Sequence, residues 1–129
     1  MKGDISANLP AGTLLFSAYG DTYLQLNQHR HDAGLYIHKN TITTPWGPER
    51  LSQLTIEHLR PLIESPPEVL ILGTGRITAF PNADILDYIA NHHIGFECMD
   101  SRAAARTYNI LVGEGRTVSA AMLLPGAKK

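Results

Sequence analysis

Apolar and polar positions alternate along the first third of the chain. Tyr23-Leu24-Gln25-Leu26-Asn27 pairs apolar with polar side chains, and Leu35-Tyr36-Ile37-His38 and Thr41-Ile42-Thr43 do the same on either side of Lys39-Asn40. A period of two with β-branched and aromatic residues predicts short antiparallel strands from Phe16 onward, with Lys39-Asn40 as a turn. Pro45-Trp46-Gly47-Pro48 stops regular structure. The period then lengthens. Ile56, Leu59, Leu62 and Ile63 recur at helical spacing behind Thr55, a predicted cap. Pro61 should kink or shorten that helix, and Ser65-Pro66-Pro67 should end it. Glu68 to Leu72 is a continuous aliphatic run closed by Gly73, the pattern of a buried central strand. Pro81 to His92 places Ile85, Leu86, Ile89 and Ala90 on one helical face. Gly95 to Met99 reads as a strand, and Ser101 should cap a third helix from Arg102 to about Leu111. Gly113-Glu114-Gly115 is a turn before a last apolar strand, Val118 to Leu124.

From residue 68 onward the order is strand, helix, strand, helix, strand. That alternation predicts an α/β fold with a partly parallel sheet and helices packed on it, to which the N-terminal half adds antiparallel strands and one helix. A length of 129 residues suits a single domain, 1–129, with a loose N-terminal arm over 1–13 and a tail over 126–129. Hydrophobic residues make up 43% of the chain, which excludes general disorder.

Charge narrows the function classes. Eleven Lys plus Arg against twelve Asp plus Glu leave a net charge of -1. Basic residues are neither in excess nor clustered, so nucleic acid and acidic membrane surfaces have no electrostatic footprint here. Val69-Leu70-Ile71-Leu72, the most apolar run, falls far short of the ~20 residues of a membrane span. Asp4, Asn8 and Pro10 interrupt the region where a signal peptide would be apolar. The expectation is a cytoplasmic chain. Its one cysteine, Cys98, excludes an internal disulfide and a cysteine-based zinc site, and nothing beside it in sequence favours the thiolate.

Two constellations are candidates for chemistry. Gly73-Thr74-Gly75 follows the central strand, where open α/β sheets bind ligands and where two glycines let the backbone approach an anion. No glycine stands at position 78, where a third would complete a dinucleotide fingerprint, and a plain tight turn at the edge of the core is the favoured reading of the pair. Asp100-Ser101 ends the next strand, with Arg106-Thr107-Tyr108-Asn109 one to two turns along the helix. Arg106 there would grip a carboxylate or phosphate, or serve as an ion-pair partner while Asp100 and Ser101 cap the helix. His29 and His31, and adjacent His92 and His93, complete no metal-binding pattern, and no metal or cofactor is expected.

Taken in order, Gly73-Thr74-Gly75, then Met99-Asp100-Ser101, then Arg106-Thr107-Tyr108-Asn109 resemble a small bacterial and archaeal family of unknown function that includes mitochondrial complex I assembly factor 3. The likeness runs from about Phe16 to Pro125 and is strongest between Pro67 and Leu111. It implies one three-layer α/β domain with a mixed central sheet, no established activity, cofactor or metal, and a role exercised through protein contacts. The family positions here are Gly73, Gly75, Asp100, Arg106, Thr107, Tyr108 and Asn109. Two residues depart from the family: Ala105 stands where many members carry Cys, which removes a thiol mechanism, and Arg102 stands where Gly is frequent.

The reading that follows is a non-enzymatic binding or assembly protein with an unidentified protein partner. Its alternative is a small-molecule or anion-binding domain, or an enzyme with Asp100 as base and Arg106 as clamp, whose pocket lies between Gly73-Thr74-Gly75 and Asp100-Ser101/Arg106. A structural homodimer is the third reading.

Overall fold

A strand whose every residue is apolar has to be covered on both faces, and the rest of the chain is arranged to do that. The computed structural model describes residues 9–129; the first eight residues of the expected N-terminal arm lie outside them. The described residues form eight strands: β1 (Phe16–Gly20), β2 (Tyr23–Leu26), β3 (His29–His31), β4 (Leu35–His38), β5 (Thr41–Thr43), β6 (Val69–Gly73), β7 (Gly95–Met99) and β8 (Val118–Met122). The helices are α1 (Ile56–Ile63), α2 (Ala83–Ala90) and α3 (Ser101–Gly113). A 3-10 turn, Leu51–Gln53, precedes α1.

Five strands form the main sheet in the order β5-β4-β8-β6-β7. β6 is parallel to both β7 and β8, while β4 is antiparallel to β8 and β5. The sheet is therefore mixed, and β6 and β8 are buried along their whole length. Alternate residues feed two cores. Val69, Ile71, Ala120 and Met122 face α3 and a separate antiparallel sheet β1-β2-β3, whose Leu24 and Leu26 point inward. Leu70, Leu72 and Ala121 face α1 and α2 through Leu59, Leu62, Ile85 and Ile89. Three layers result, each burying aliphatic side chains that contribute about 2 kcal/mol apiece.

The connections obey one handedness rule. The step from β6 to β7 carries α2 to one face, and the return from β7 across β6 to β8 carries α3 to the other. Capping is local. His58 Nδ1 accepts the Thr55 N–H at 2.9 Å and closes the start of α1. α1 continues through Pro61 and ends two residues later, at Ile63. α2 is shorter than expected, because Asn82 is its cap and His93 turns left-handed (φ 56°) soon after its end.

Turn residues also hold the arm. Lys39 and Asn40 form the expected turn, both at positive φ (51° and 55°), and Asn27 (53°) makes another. Each asparagine then uses its amide on the chain beside it. Asn40 accepts the Leu14 N–H and donates to the Gly12 carbonyl, at 2.9 and 3.0 Å. Asn27 accepts the Leu15 N–H and donates to the Thr13 carbonyl, at 3.0 and 3.2 Å. At the other end, the Gly126 N–H donates to the Asp21 carbonyl and the Leu51 N–H to the Lys128 carbonyl.

Asn109 joins α3 to the small sheet. Its Oδ1 accepts the Phe16 N–H at 2.9 Å and its Nδ2 donates to the Phe16 carbonyl at 2.8 Å, the pair a neighbouring strand would make. Asn109→Ala should lower unfolding free energy by about 2 kcal/mol, since two partly buried backbone groups lose partners. Arg106→Ala, at an exposed side chain, should cost about 0.5 kcal/mol or less. Urea denaturation of both variants checks the difference, and equal losses would refute the role given to Asn109.

Candidate functional site

The outgoing connections of neighbouring β6 and β7 leave on opposite faces, so a crevice should open between their C-terminal ends. Both predicted turns emerge there. The Thr74 N–H donates to the Met99 carbonyl at 2.8 Å, and the Ser101 N–H donates to the Gly75 carbonyl at 2.9 Å. The Thr74 hydroxyl donates to the Ile77 carbonyl at 2.6 Å, and the Asp100 N–H donates to the Thr78 hydroxyl at 3.1 Å. The chain thus stitches its own switch-point crevice.

Ser101 does not cap the third helix as expected. Asp100 takes that position, its Oδ1 accepting the Ala103 N–H at 3.0 Å. Ser101 is the first helical residue and is fully buried. Its hydroxyl accepts the Gly75 N–H at 2.9 Å and donates to the Leu123 carbonyl at 2.6 Å, tying together the chain leaving β6, α3 and the chain leaving β8. Space explains both glycines. A Cβ on Gly73 would lie 2.9 Å from Ser101 Oγ and from Met122 Sδ, and one on Gly75 (φ +98°) would lie 2.5 Å from the Ala127 carbonyl oxygen. The Arg76 N–H donates to that same carbonyl at 2.8 Å, so the segment Pro125-Gly126-Ala127 lies across the turn.

The other four candidates spread along α3 toward the small sheet. Arg106 is exposed and donates from Nη1 to the Tyr19 hydroxyl at 2.6 Å. Thr107 is half-buried. Tyr108 is buried edge-on against Phe16 (centroids 5.6 Å apart), and burial pushes its phenol up to about 12. Asn109 holds Phe16. The structure thus groups Gly73, Thr74, Gly75, Asp100 and Ser101, and sets Arg106, Thr107, Tyr108 and Asn109 apart from them.

Two guanidinium groups reach this rim, and the nearer to Asp21 is that of Arg102. Its Nη2 donates to Asp21 Oδ1 at 2.5 Å, with Arg76 Nη2 3.9 Å from Oδ2. The Arg102 hydrogen bond holds the Asp21 carboxyl below its usual range. This contribution is present at neutral pH and is lost as pH falls through the lowered value.

Two concavities flank the sheet ends. One of about 620 Å³ lies beside the stitched rim and includes Asp21, Asp32, Trp46, Glu49 and Arg76 in its wall. The other, of about 420 Å³, lies at the opposite rim and includes His38, Lys39, Tyr108, Arg116 and Ser119. Of the nine candidates, Tyr108 alone lines either of these two. No group of three His, Cys, Asp or Glu side chains able to hold a metal occurs among the described residues. Burial pushes the Cys98 thiol up to about 12, with Glu97 adding to the shift, so its thiolate is suppressed.

The sequence reading gave no binding role to the exposed apolar side chains of the loop after the stitched turn, Ile77 and Phe80. Their signal in the sequence is two large apolar residues in the connection between a predicted strand and a predicted helix. It also missed the pairing of His38 Nδ1 with the Ser119 hydroxyl at 2.7 Å, signalled by one polar residue inside an apolar strand.

Ser101→Ala removes both buried hydrogen bonds and should cost about 3 kcal/mol, lowering the Tm by roughly 10 °C. Asp100→Ala removes a cap and should cost about 1 kcal/mol. Thermal unfolding followed by circular dichroism separates them, and a larger loss for Asp100→Ala would overturn the assignment.

Comparison with known proteins places this geometry. The chain is 37% identical over 62 residues to the 13 kDa major membrane protein of Francisella tularensis, covering 48% of this chain and 50% of that protein. It is 32% identical over 106 residues to NADH dehydrogenase [ubiquinone] 1 alpha subcomplex assembly factor 3 of Danio rerio, covering 73% of this chain and 61% of that one. The chain therefore matches between half and about three-fifths of the length of these two relatives. The crystal structure of a Bordetella parapertussis protein superposes with a TM-score of 0.80 at 35% identity, covering 89% of this chain and 99% of that one. No helix among the described residues is long and apolar enough to cross a membrane. The model of the family described as protein of unknown function (DUF498/DUF598) matches residues 16–123, which include both sheets and the three helices of the described residues, and the chain belongs to that family.

Proposed function

We propose that this chain is an assembly-type binding protein of the cytoplasm that holds a protein partner rather than turning over a substrate. One observation carries the reading: an apolar loop is fixed in an exposed position. Phe80 is 69% exposed and Ile77 49% exposed, on the segment between the stitched turn and α2. Large apolar side chains left in water are unfavourable, and a loop holding two of them is suited to burial against another protein. The loop is held at several points. The Thr74 hydroxyl donates to the Ile77 carbonyl, the Thr78 hydroxyl accepts the Asp100 N–H, and the Arg76 N–H is held by Ala127. A preorganised loop loses little entropy on docking. The likeness to the zebrafish assembly factor supports the same reading and points to a subunit of an NADH dehydrogenase as the partner.

Both side chains are exposed, so Ile77→Asp/Phe80→Asp should leave the Tm within about 2 °C of the parent. A photo-crosslinking residue at position 80 should capture a subunit of the respiratory NADH dehydrogenase in cells. The same residue at Glu114, in the exposed turn after α3, should not. The double variant should lower the amount of assembled dehydrogenase in membranes by about tenfold, as expected when two central apolar anchors are lost. Equal crosslinking at 80 and 114, or unchanged dehydrogenase with the double variant, would sink the proposal.

A further inference from the structure

β8 is a central strand reading Val-Ser-Ala-Ala-Met, and Ser119 is its one polar side chain, 1% exposed. A buried hydroxyl needs a partner, and in a packing role a small apolar residue would serve as well. Its partner is His38 Nδ1, 2.7 Å away at the end of adjacent β4. The pair sits in the wall of the concavity of about 420 Å³ at the N-terminal ends of β6 and β8. This is the opposite end of the sheet from the loop assigned to a protein partner.

Among the described residues the wall has one sign of charge. Lys39 reaches it from the β4–β5 turn and Arg116 from the chain entering β8, and no described Asp or Glu lines it. Desolvation and the neighbouring Lys39 hold His38 below its ordinary pKa, so it is neutral at pH 7. The positive charge is therefore that of Lys39 and Arg116. Glu68, outside the wall, accepts the Thr117 N–H at 2.8 Å and the Arg116 Nε–H at 3.4 Å. That contact orients the guanidinium by its inner nitrogen. Its terminal nitrogens, and the Lys39 ammonium, make no hydrogen bond among the described residues. Beside these donors, Pro66, Pro67 and Val112 supply an apolar surface.

We propose that this cleft is a binding site for a small organic anion, with a carboxylate or phosphate head between Lys39, Arg116 and the His38–Ser119 pair, and a short apolar body on Pro66, Pro67 and Val112. A few convergent polar groups on an otherwise apolar wall are the usual make-up of a small-molecule site. Arg offers the bidentate geometry such heads accept, and Lys adds a point charge.

The test is a titration of the ¹⁵N-labelled full chain with phenyl phosphate, benzoate and, as the cationic control, benzylamine. Either anion should shift the amides of Lys39, Thr117 and Ser119 saturably, with a Kd in the millimolar range or tighter. The head that binds more tightly distinguishes the phosphate from the carboxylate class. Lys39→Gln/Arg116→Gln should keep the dispersed spectrum of the folded chain and weaken binding about tenfold or more, with Arg116→Gln alone losing less. Unsaturable shifts with both anions, equal binding of benzylamine, or a double variant that binds as the parent does would each overturn the proposal. None of these readouts involves Ile77 or Phe80, so the two proposals fail separately.

Discussion

A single hydroxyl holds three departures of the chain together. Ser101 Oγ accepts from Gly75 and donates to Leu123, so the segments leaving β6 and β8 and the helix following β7 meet at one buried oxygen. Parallel strands with helices on both faces ordinarily leave a crevice where the connections part. Here the space is filled by the chain's own hydrogen bonds and covered by Pro125-Gly126-Ala127. Gly73 and Gly75 are glycine because Ser101, Met122 and Ala127 occupy the volume a Cβ would need. A glycine pair that reads as a cradle for a ligand is, in this fold, a cradle for neighbouring backbone and a serine.

The layer arrangement was legible because it rests on local regularities. The aliphatic run of β6, the alternation in β2 and β4, and the helical spacing of Leu59, Leu62, Ile85 and Ile89 each name their own element. What escaped depends on partners distant in sequence. Asp100 and Ser101 are both good caps, and only the positions of Gly75 and Leu123 decide which is free for that work. β3, His29-Arg30-His31, carries no apolar residue, so no alternation marks it as a strand. Arg30 lies 3.8 Å above the Tyr23 ring across the pairing with β2, a contact that no periodicity announces. The run Arg106 to Asn109 looked like one functional unit, but a helix turns about 100° per residue and gives neighbours different tasks.

The two features proposed to bind lie at opposite rims of the main sheet. The loop leaving the stitched turn presents Ile77 and Phe80 to solvent from a fixed base. The opposite rim gathers Lys39 and Arg116, the latter oriented by Glu68, around the His38–Ser119 pair. The same sheet thus separates an apolar feature from a basic one by its own length, and each is built on residues that hydrogen bonding already holds in place.

Asn109 has a bearing on how copies of this molecule coexist in a crowded solution. Where β1 begins, its amide occupies the donor and acceptor of Phe16 that an incoming strand would seek. An open edge is a template for recruiting another chain, and sheet proteins commonly blunt it with charge, proline or a bulge. This fold uses a carboxamide on a helix instead, closing that position to edge-to-edge growth of the small sheet with a residue that also fastens the helix to the layer beneath it.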